Sequence, residues 1–289
     1  MVVLENDKLQ VTIKLKGAEL SSIKDKVSGK EYIWQGNPDV WGYHAPNLFP
    51  IVGGLKDNKI TISGNDYNLS RHGFARTSMF RRIESTPNHA VFSLSYDDET
   101  LKIYPYKFEF EVAYSLSGNS LTILYKVINK DDKKIYFSVG AHPAFNIPLE
   151  ESEVYEDYFI EFEKEETLVS SKLSTTGLFN GQYKEFGQNT ILDLTADLFN
   201  EDALVFKNLN SRVVYLKNRK NTQSIKVDFN QFNELGIWAK PGAPFVCIEP
   251  WLGYADNELG QKDISEKPGI QTLDHGHVFE SNYTISIEK

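Results

Sequence analysis

From Phe108 to Val127 the chain alternates apolar and polar residues with a period of two, interrupted once by a turn. Phe108, Phe110, Val112, Tyr114 and Leu116 share one parity, and Glu109, Glu111 and Ser115 share the other. After Ser117-Gly118-Asn119-Ser120 the alternation resumes through Leu121, Ile123, Tyr125 and Val127. Successive side chains of an extended chain point to opposite faces, whereas one face of a helix recurs every 3.6 residues. The segment is therefore a β-hairpin with one buried face and a glycine-containing turn.

Similar strand patterns occupy residues 9–15, 60–69 around a turn at Gly64-Asn65-Asp66, 90–96, 135–139, 213–217, 225–229, 245–249 and 283–287. Helical periodicity is scarce. Residues 98–104 and 193–199 are expected to form short helices, and neither alternates with strands as a parallel α/β sheet requires. The acidic stretch 150–166 is expected to be a solvated loop and an edge strand. The fold class that follows is all-β, a large antiparallel β-sandwich with a few short helices. No internal repeat or linker divides the chain, so residues 1–289 read as a single domain.

A net charge of −9 with no dense basic stretch leaves no footprint for a nucleic-acid backbone. Eighteen Phe, fifteen Tyr and four Trp suit strands and also supply flat apolar faces on which a sugar ring can rest. The lone Cys247 excludes an intramolecular disulfide and a cage of cysteines, and fits a reducing compartment. The first residues, Met1-Val-Val-Leu-Glu-Asn-Asp-Lys, lack the charge order of a secretory signal, and no apolar run reaches the length of a membrane-spanning helix. A cytoplasmic location, with no membrane partner, is the expectation.

Three motifs carry candidate chemistry. Ser70-Arg71-His72-Gly73-Phe74-Ala75-Arg76 sets a histidine and two arginines in a loop after a strand. A histidine beside glycine in a turn is also a common surface or capping residue. In Ser138-Val139-Gly140-Ala141-His142-Pro143-Ala144-Phe145-Asn146, proline biases His142 toward an extended backbone and gives the ring a defined direction. A buried histidine bonded to backbone fits those residues equally well. Phe245-Val246-Cys247-Ile248-Glu249-Pro250-Trp251 is an apolar strand interrupted by one carboxylate, which stands at the strand's end before Pro250. A glutamate there is either paired or used, and apolar surroundings raise its pKa toward that of a general base. Trp238 and Trp251 read as a sugar platform or as core.

Together these segments resemble the aldose 1-epimerase (galactose mutarotase-like) family, in particular a LacX-like branch. The likeness extends to Pro46-Asn47-Leu48-Phe49-Pro50-Ile51-Val52-Gly53, Tyr104-Pro105-Tyr106-Lys107-Phe108 and Asp202-Ala203-Leu204-Val205-Phe206. The resemblance implies a β-supersandwich and interconversion of the α and β anomers of a hexose or related sugar, without a cofactor and without a metal. It implies that Glu249 is the general base on the C1 hydroxyl and His142 the general acid on the ring oxygen, one on each side of the ring. His72 then orients the substrate, and Asp202, Asn47 and Trp238 bind it. Arg76 matches an arginine with which hexose-6-phosphate epimerases hold phosphate. Galactose mutarotases carry a sugar-binding arginine where this chain has Gly53-Gly54-Leu55-Lys56-Asp57-Asn58, so Lys56 is the expected replacement. Arg71 is expected to point to solvent from the other face.

The implied partner is a small sugar, phosphorylated or not, and the chain is read as a monomer or homodimer. Three competing readings follow from the same residues. One is a non-catalytic sugar-binding or sugar-sensing protein, suggested by the displaced arginine. Another is a metal-dependent cupin-like sandwich built on His275-Gly276-His277, and the last a glycosidase using two acids.

Overall fold

The computed structural model describes residues 1–260 and 263–288. The chain is mostly β, and every strand ladder among the described residues is antiparallel. A 15-stranded sheet dominates. It runs from Asn47–Leu48 through Val139–Ala141, Phe245–Leu252, Glu234–Trp238, Leu204–Phe206 and Tyr158–Leu173, and on to the hairpin strands near the other edge. Val2–Glu5, Leu9–Ile13 and Leu20–Asp25 form a separate three-stranded sheet.

The hairpin is Phe108–Ser117 paired with Ser120–Asn129, and Gly118 takes the positive φ of +56° that its turn requires. Phe108, Phe110, Val112, Tyr114 and Leu116 are buried on the first strand and Leu121, Ile123, Tyr125 and Val127 on the second. They pack with Phe49, Phe137 and Phe232 into an aromatic core, in which Phe49 and Phe110 stack at 4.6 Å.

Four local expectations change. Residues 193–199 are not a helix: the strand Phe179–Asp193 ends there, and turns closed by Leu198 N to Thr195 O and Asp202 N to Phe199 O, each 3.1 Å, lead to Asp202. Thr195 Oγ1 donates to Asp197 Oδ1 at 2.6 Å, the local side-chain bonding that competes with a helix. By contrast Asp98–Ile103 is helical, capped by Asp97. The acidic stretch is no edge. Tyr158–Leu173 is flanked by Val213–Asn218 and Phe179–Asp193, with Ile160 and Phe162 buried and the intervening Glu161 and Glu163 on the other face. Even Glu166 is buried, accepting backbone hydrogen bonds from Asn210 and Ser211. Residues 135–139 divide at Ser138 into Ile135–Phe137 and Val139–Ala141, which belong to different sheets.

The fourth change concerns the strand of Glu249, which runs through Pro250 to Leu252. Its outer edge pairs with Ala144–Asn146 and Val139–Ala141, and the ladder is interrupted at His142-Pro143. Ile248 N donates to Pro143 O on that edge, so Pro250, two residues on, turns its missing donor toward the interruption. The same break that tolerates Pro250 frees His142 from sheet pairing and sets it beside Glu249.

Candidate active site

Glu249 and Trp251 project from one face of the strand Phe245–Leu252, because side chains two apart share a face. Trp251 lies over two glycines of neighbouring strands. A Cβ on Gly140 would stand 2.6 Å from Trp251 Cδ1, and one on Gly236 would stand 2.8 Å from the far edge of the indole. Both positions need the absence of a side chain for the ring to lie flat.

A cavity opens above this floor, with about 720 Å³ of empty space including its mouth. The acid–base candidates His142 and Glu249 line it with His72, Asp202, Trp238 and Trp251, which arrive from separate strand ends and loops.

His142 Nε2 lies 3.1 Å from Glu249 Oε2, with Glu249 only 1% exposed. The two groups stand side by side rather than across a ring, which corrects the expected placement on opposite sides. Glu249 Oε2 and His142 Nδ1 are buried without any hydrogen-bond partner, which is unusual for buried polar atoms. Burial pushes the Glu249 carboxyl well above the usual carboxylate range, helped by Asp202, while Arg71 opposes the shift. Burial likewise pushes His142 down to about 3, with Arg76 and Arg71 adding to the effect. Each group is shifted toward its uncharged form, so the two share protons as a coupled pair.

His72 has a left-handed backbone, φ +65°, fixed by a reciprocal bond in which its N donates to Gly53 O at 3.0 Å. Gly53 N donates to His72 Nδ1 at 3.1 Å, so Nε2 carries the ring's proton and is its donor. Burial first, and then His142 and the arginines, hold His72 well below the usual range and keep it neutral. Asp202 also has a positive φ of +78° and sits half-buried at the end of the turn series. Two strained non-glycine residues in one cavity are a mark of functional sites.

The arginines differ from expectation. Arg71 lines the cavity instead of pointing away from it, with Nη2 donating to Thr176 O at 3.0 Å. Arg76 lines it too, donating through Nη2 to Arg71 O at 2.8 Å and lying 5.2 Å from the Tyr43 ring centre, while its buried Nε has no partner. Neither guanidinium is paired with a carboxylate among the described residues.

Two expected binding residues are not in the cavity. Asn47 is a core hub: its Nδ2 donates to Gly17 O at 2.9 Å and Ala18 O at 3.1 Å, and its Oδ1 accepts from Tyr125 OH at 2.7 Å. Lys56 turns outward, donating through Nζ to Glu258 O at 2.8 Å. Arg71, and not Lys56, is a basic residue lining the cavity. His275 of the suggested metal pair is bonded to Asp131 O, and no metal-ligand grouping among the described residues includes it.

Sequence reasoning missed Trp41. Its indole stacks on His142, with ring centres 5.0 Å apart and planes at 28°, and meets Trp238 edge-on at 5.7 Å. The loop that carries it is held by Trp34 Nε1 to Trp41 O and by Lys240 Nζ to Val40 O, both 2.8 Å. A tryptophan in the Gly/Pro-rich run Gly36-Asn37-Pro38-Asp39-Val40-Trp41-Gly42 was the available signal, since a large aromatic in a loop needs something to cover.

Comparison with known proteins gives one result at three levels. Residues 1–269 match the aldose 1-epimerase family model. Protein LacX, chromosomal, of Lactococcus lactis subsp. lactis is 36% identical over 296 residues, 99% of each chain. A galactose mutarotase related enzyme from Lactobacillus acidophilus superposes with TM-score 0.95 at 35% identity, over 100% of this chain and 97% of that one. A galactose mutarotase-like protein from Lactobacillus casei superposes with TM-score 0.94 at 29% identity, over 100% of both.

Proposed function

This chain belongs to the aldose 1-epimerase family, and we propose that it interconverts the α and β anomers of an aldose by opening and closing the pyranose ring. The observation that carries the reading is the buried His142–Glu249 pair, 3.1 Å apart in the wall of the cavity.

Ring opening removes the proton of O1 and delivers one to the ring oxygen. The bond from C1 to the ring oxygen breaks as the C1 carbonyl forms; rotation about C1–C2 and the reverse steps give the other anomer. Both oxygens are bonded to C1, so two neighbouring groups such as Glu249 and His142 are able to serve them in one step. In the proposed cycle the pair reacts with its one proton passed from Glu249 to His142, so that the carboxylate takes the O1 proton as the imidazolium gives its own to the ring oxygen. The pair begins and ends with one proton, and water supplies nothing. Each such group contributes about 10² to 10⁴-fold. His72 Nε2–H donates to a sugar hydroxyl, Asp202 accepts from others, and Trp238, Trp251 and Trp41 cover the apolar faces of the ring. A cytoplasmic location belongs to the same proposal, supported by the single reduced Cys247.

A second reading, favoured by Arg71 and Arg76, is that the aldose carries an anionic substituent such as a phosphate. Two guanidinium groups without carboxylate partners in one cavity suit a bidentate anion. Anomer-resolved NMR on freshly dissolved α-glucose, α-galactose and hexose 6-phosphates tests both. Faster anomerisation of the free sugars supports the first reading, and of the phosphates alone the second. Tight binding with no acceleration of any sugar contradicts catalysis and makes the protein a sugar binder.

A further inference from the structure

We propose that Cys247, His142 and Glu249 form a binding site for a thiophilic divalent cation of the zinc or cadmium class, and that occupation of the site stops the proton transfer. Cys247 and Glu249 are two apart on one strand and share a face, and His142 enters from the interrupted strand beside them. The thiol sulfur, an imidazole nitrogen and a carboxylate oxygen all lie within 4.8 Å of one another, and all three residues are buried.

Tetrahedral zinc, with bonds of about 2.0 to 2.3 Å, sets its ligands about 3.5 Å apart, so the separations have to close by up to about 1.3 Å. Glu249 Oε2, 3.1 Å from His142 Nε2, has no hydrogen bond to give up. Sulfur with imidazole selects zinc, cadmium or cuprous copper over magnesium and calcium. Charge balances as well. The ion replaces the thiol proton and the proton held by the pair, both of which leave to solvent, so a dication, a thiolate and a carboxylate sum to zero in a buried place. His142 and Glu249 line the cavity and Cys247 does not, so a fourth ligand would enter from the cavity side. That is the arrangement of an open zinc site.

The inhibition rests on reading His142 and Glu249 as the acid–base pair; the binding does not. The test is titration of the purified protein with Cd²⁺, read by thiolate-to-cadmium charge-transfer absorption and by calorimetric stoichiometry. One ion per chain is expected, with the band absent in Cys247→Ser and the affinity lowered at least about tenfold in Glu249→Gln. No band in the wild-type protein, or equal affinity in Glu249→Gln, overturns the site, and the second comparison holds even if Cys247→Ser does not fold. Anomerisation is then followed with and without Zn²⁺. A band without loss of rate overturns the inhibitory half, whereas absence of any rate before metal is added counts against the mutarotase reading and leaves the binding result standing.

Discussion

Glu249 Oε2 and His142 Nε2 stand 3.1 Å apart in a buried setting, yet no hydrogen bond satisfies either Oε2 or the far ring nitrogen of His142. Burial drives the carboxyl up and the imidazole down, so the two titrate as one unit that gains a second proton only in strong acid and loses its last proton far above the ordinary carboxylate range. If the one-proton pair is the active form, kcat/KM for anomerisation is level across neutral pH. An independent imidazolium acid would instead give a falling limb near its usual 6.5. A pH–rate profile distinguishes them, and a descending limb centred there contradicts the coupled pair.

Glu234 stands opposite Trp251 on the strand Glu234–Trp238, where burial pushes its carboxyl up to about 7 although Gly253 N donates to it at 3.1 Å. Its folded pKa is above the unfolded value of 4.5, so its stabilising share is whole below 4.5 and is lost as pH rises through 7. Glu234→Gln removes that dependence. Urea unfolding of the two proteins should show the variant gaining about 2–3 kcal/mol relative to wild type between pH 4.5 and pH 8. Parallel curves over that range contradict the assignment.

Much of this architecture is readable in the sequence wherever one face of a strand is buried and the other wet. Phe108–Ser117 and Ser120–Asn129 show this, because alternation and burial coincide there residue by residue. Tyr158–Leu173 was obscured because its outward acids dominate the composition, while the buried Tyr158, Ile160 and Phe162 are what fix it inside the sheet. At the site, Glu249 and His142 stand out because a lone carboxylate and a proline-held imidazole interrupt apolar strands. Trp41 and Arg71 do not, since their positions come from long-range contacts to Trp34, Lys240 and Thr176 that no local pattern encodes. Asn47 was singled out by a likeness of blocks, and its geometry assigns it to the core.

Asn47 therefore supports stability. Asn47→Ala leaves the Gly17 carbonyl and the Tyr125 hydroxyl without their Asn47 partner, whereas Ala18 O keeps Tyr114 OH, at about 1–3 kcal/mol for each group left unsatisfied. Chemical denaturation should give a loss of at least about 2 kcal/mol. A variant as stable as wild type but with a raised KM returns Asn47 to the substrate.

Gly236 tests the floor of the cavity. A methyl group there meets Trp251 at 2.8 Å and Glu249 Cβ at 3.2 Å, so Gly236→Ala has to displace the indole or the carboxylate. The expected cost is about 1–3 kcal/mol in unfolding free energy, together with a blue- or red-shifted Trp251 fluorescence and a lower kcat. Unchanged stability and turnover show that the floor does not position Glu249.

The central claim is that Glu249 moves a proton in anomerisation. Polarimetry of the freshly dissolved α-sugar found to be a substrate, with wild type and Glu249→Gln compared at equal folded concentration, tests it most directly. Turnover should fall about 10² to 10⁴-fold in the variant, with sugar binding retained. Turnover equal to wild type removes Glu249 from the mechanism and contradicts the account.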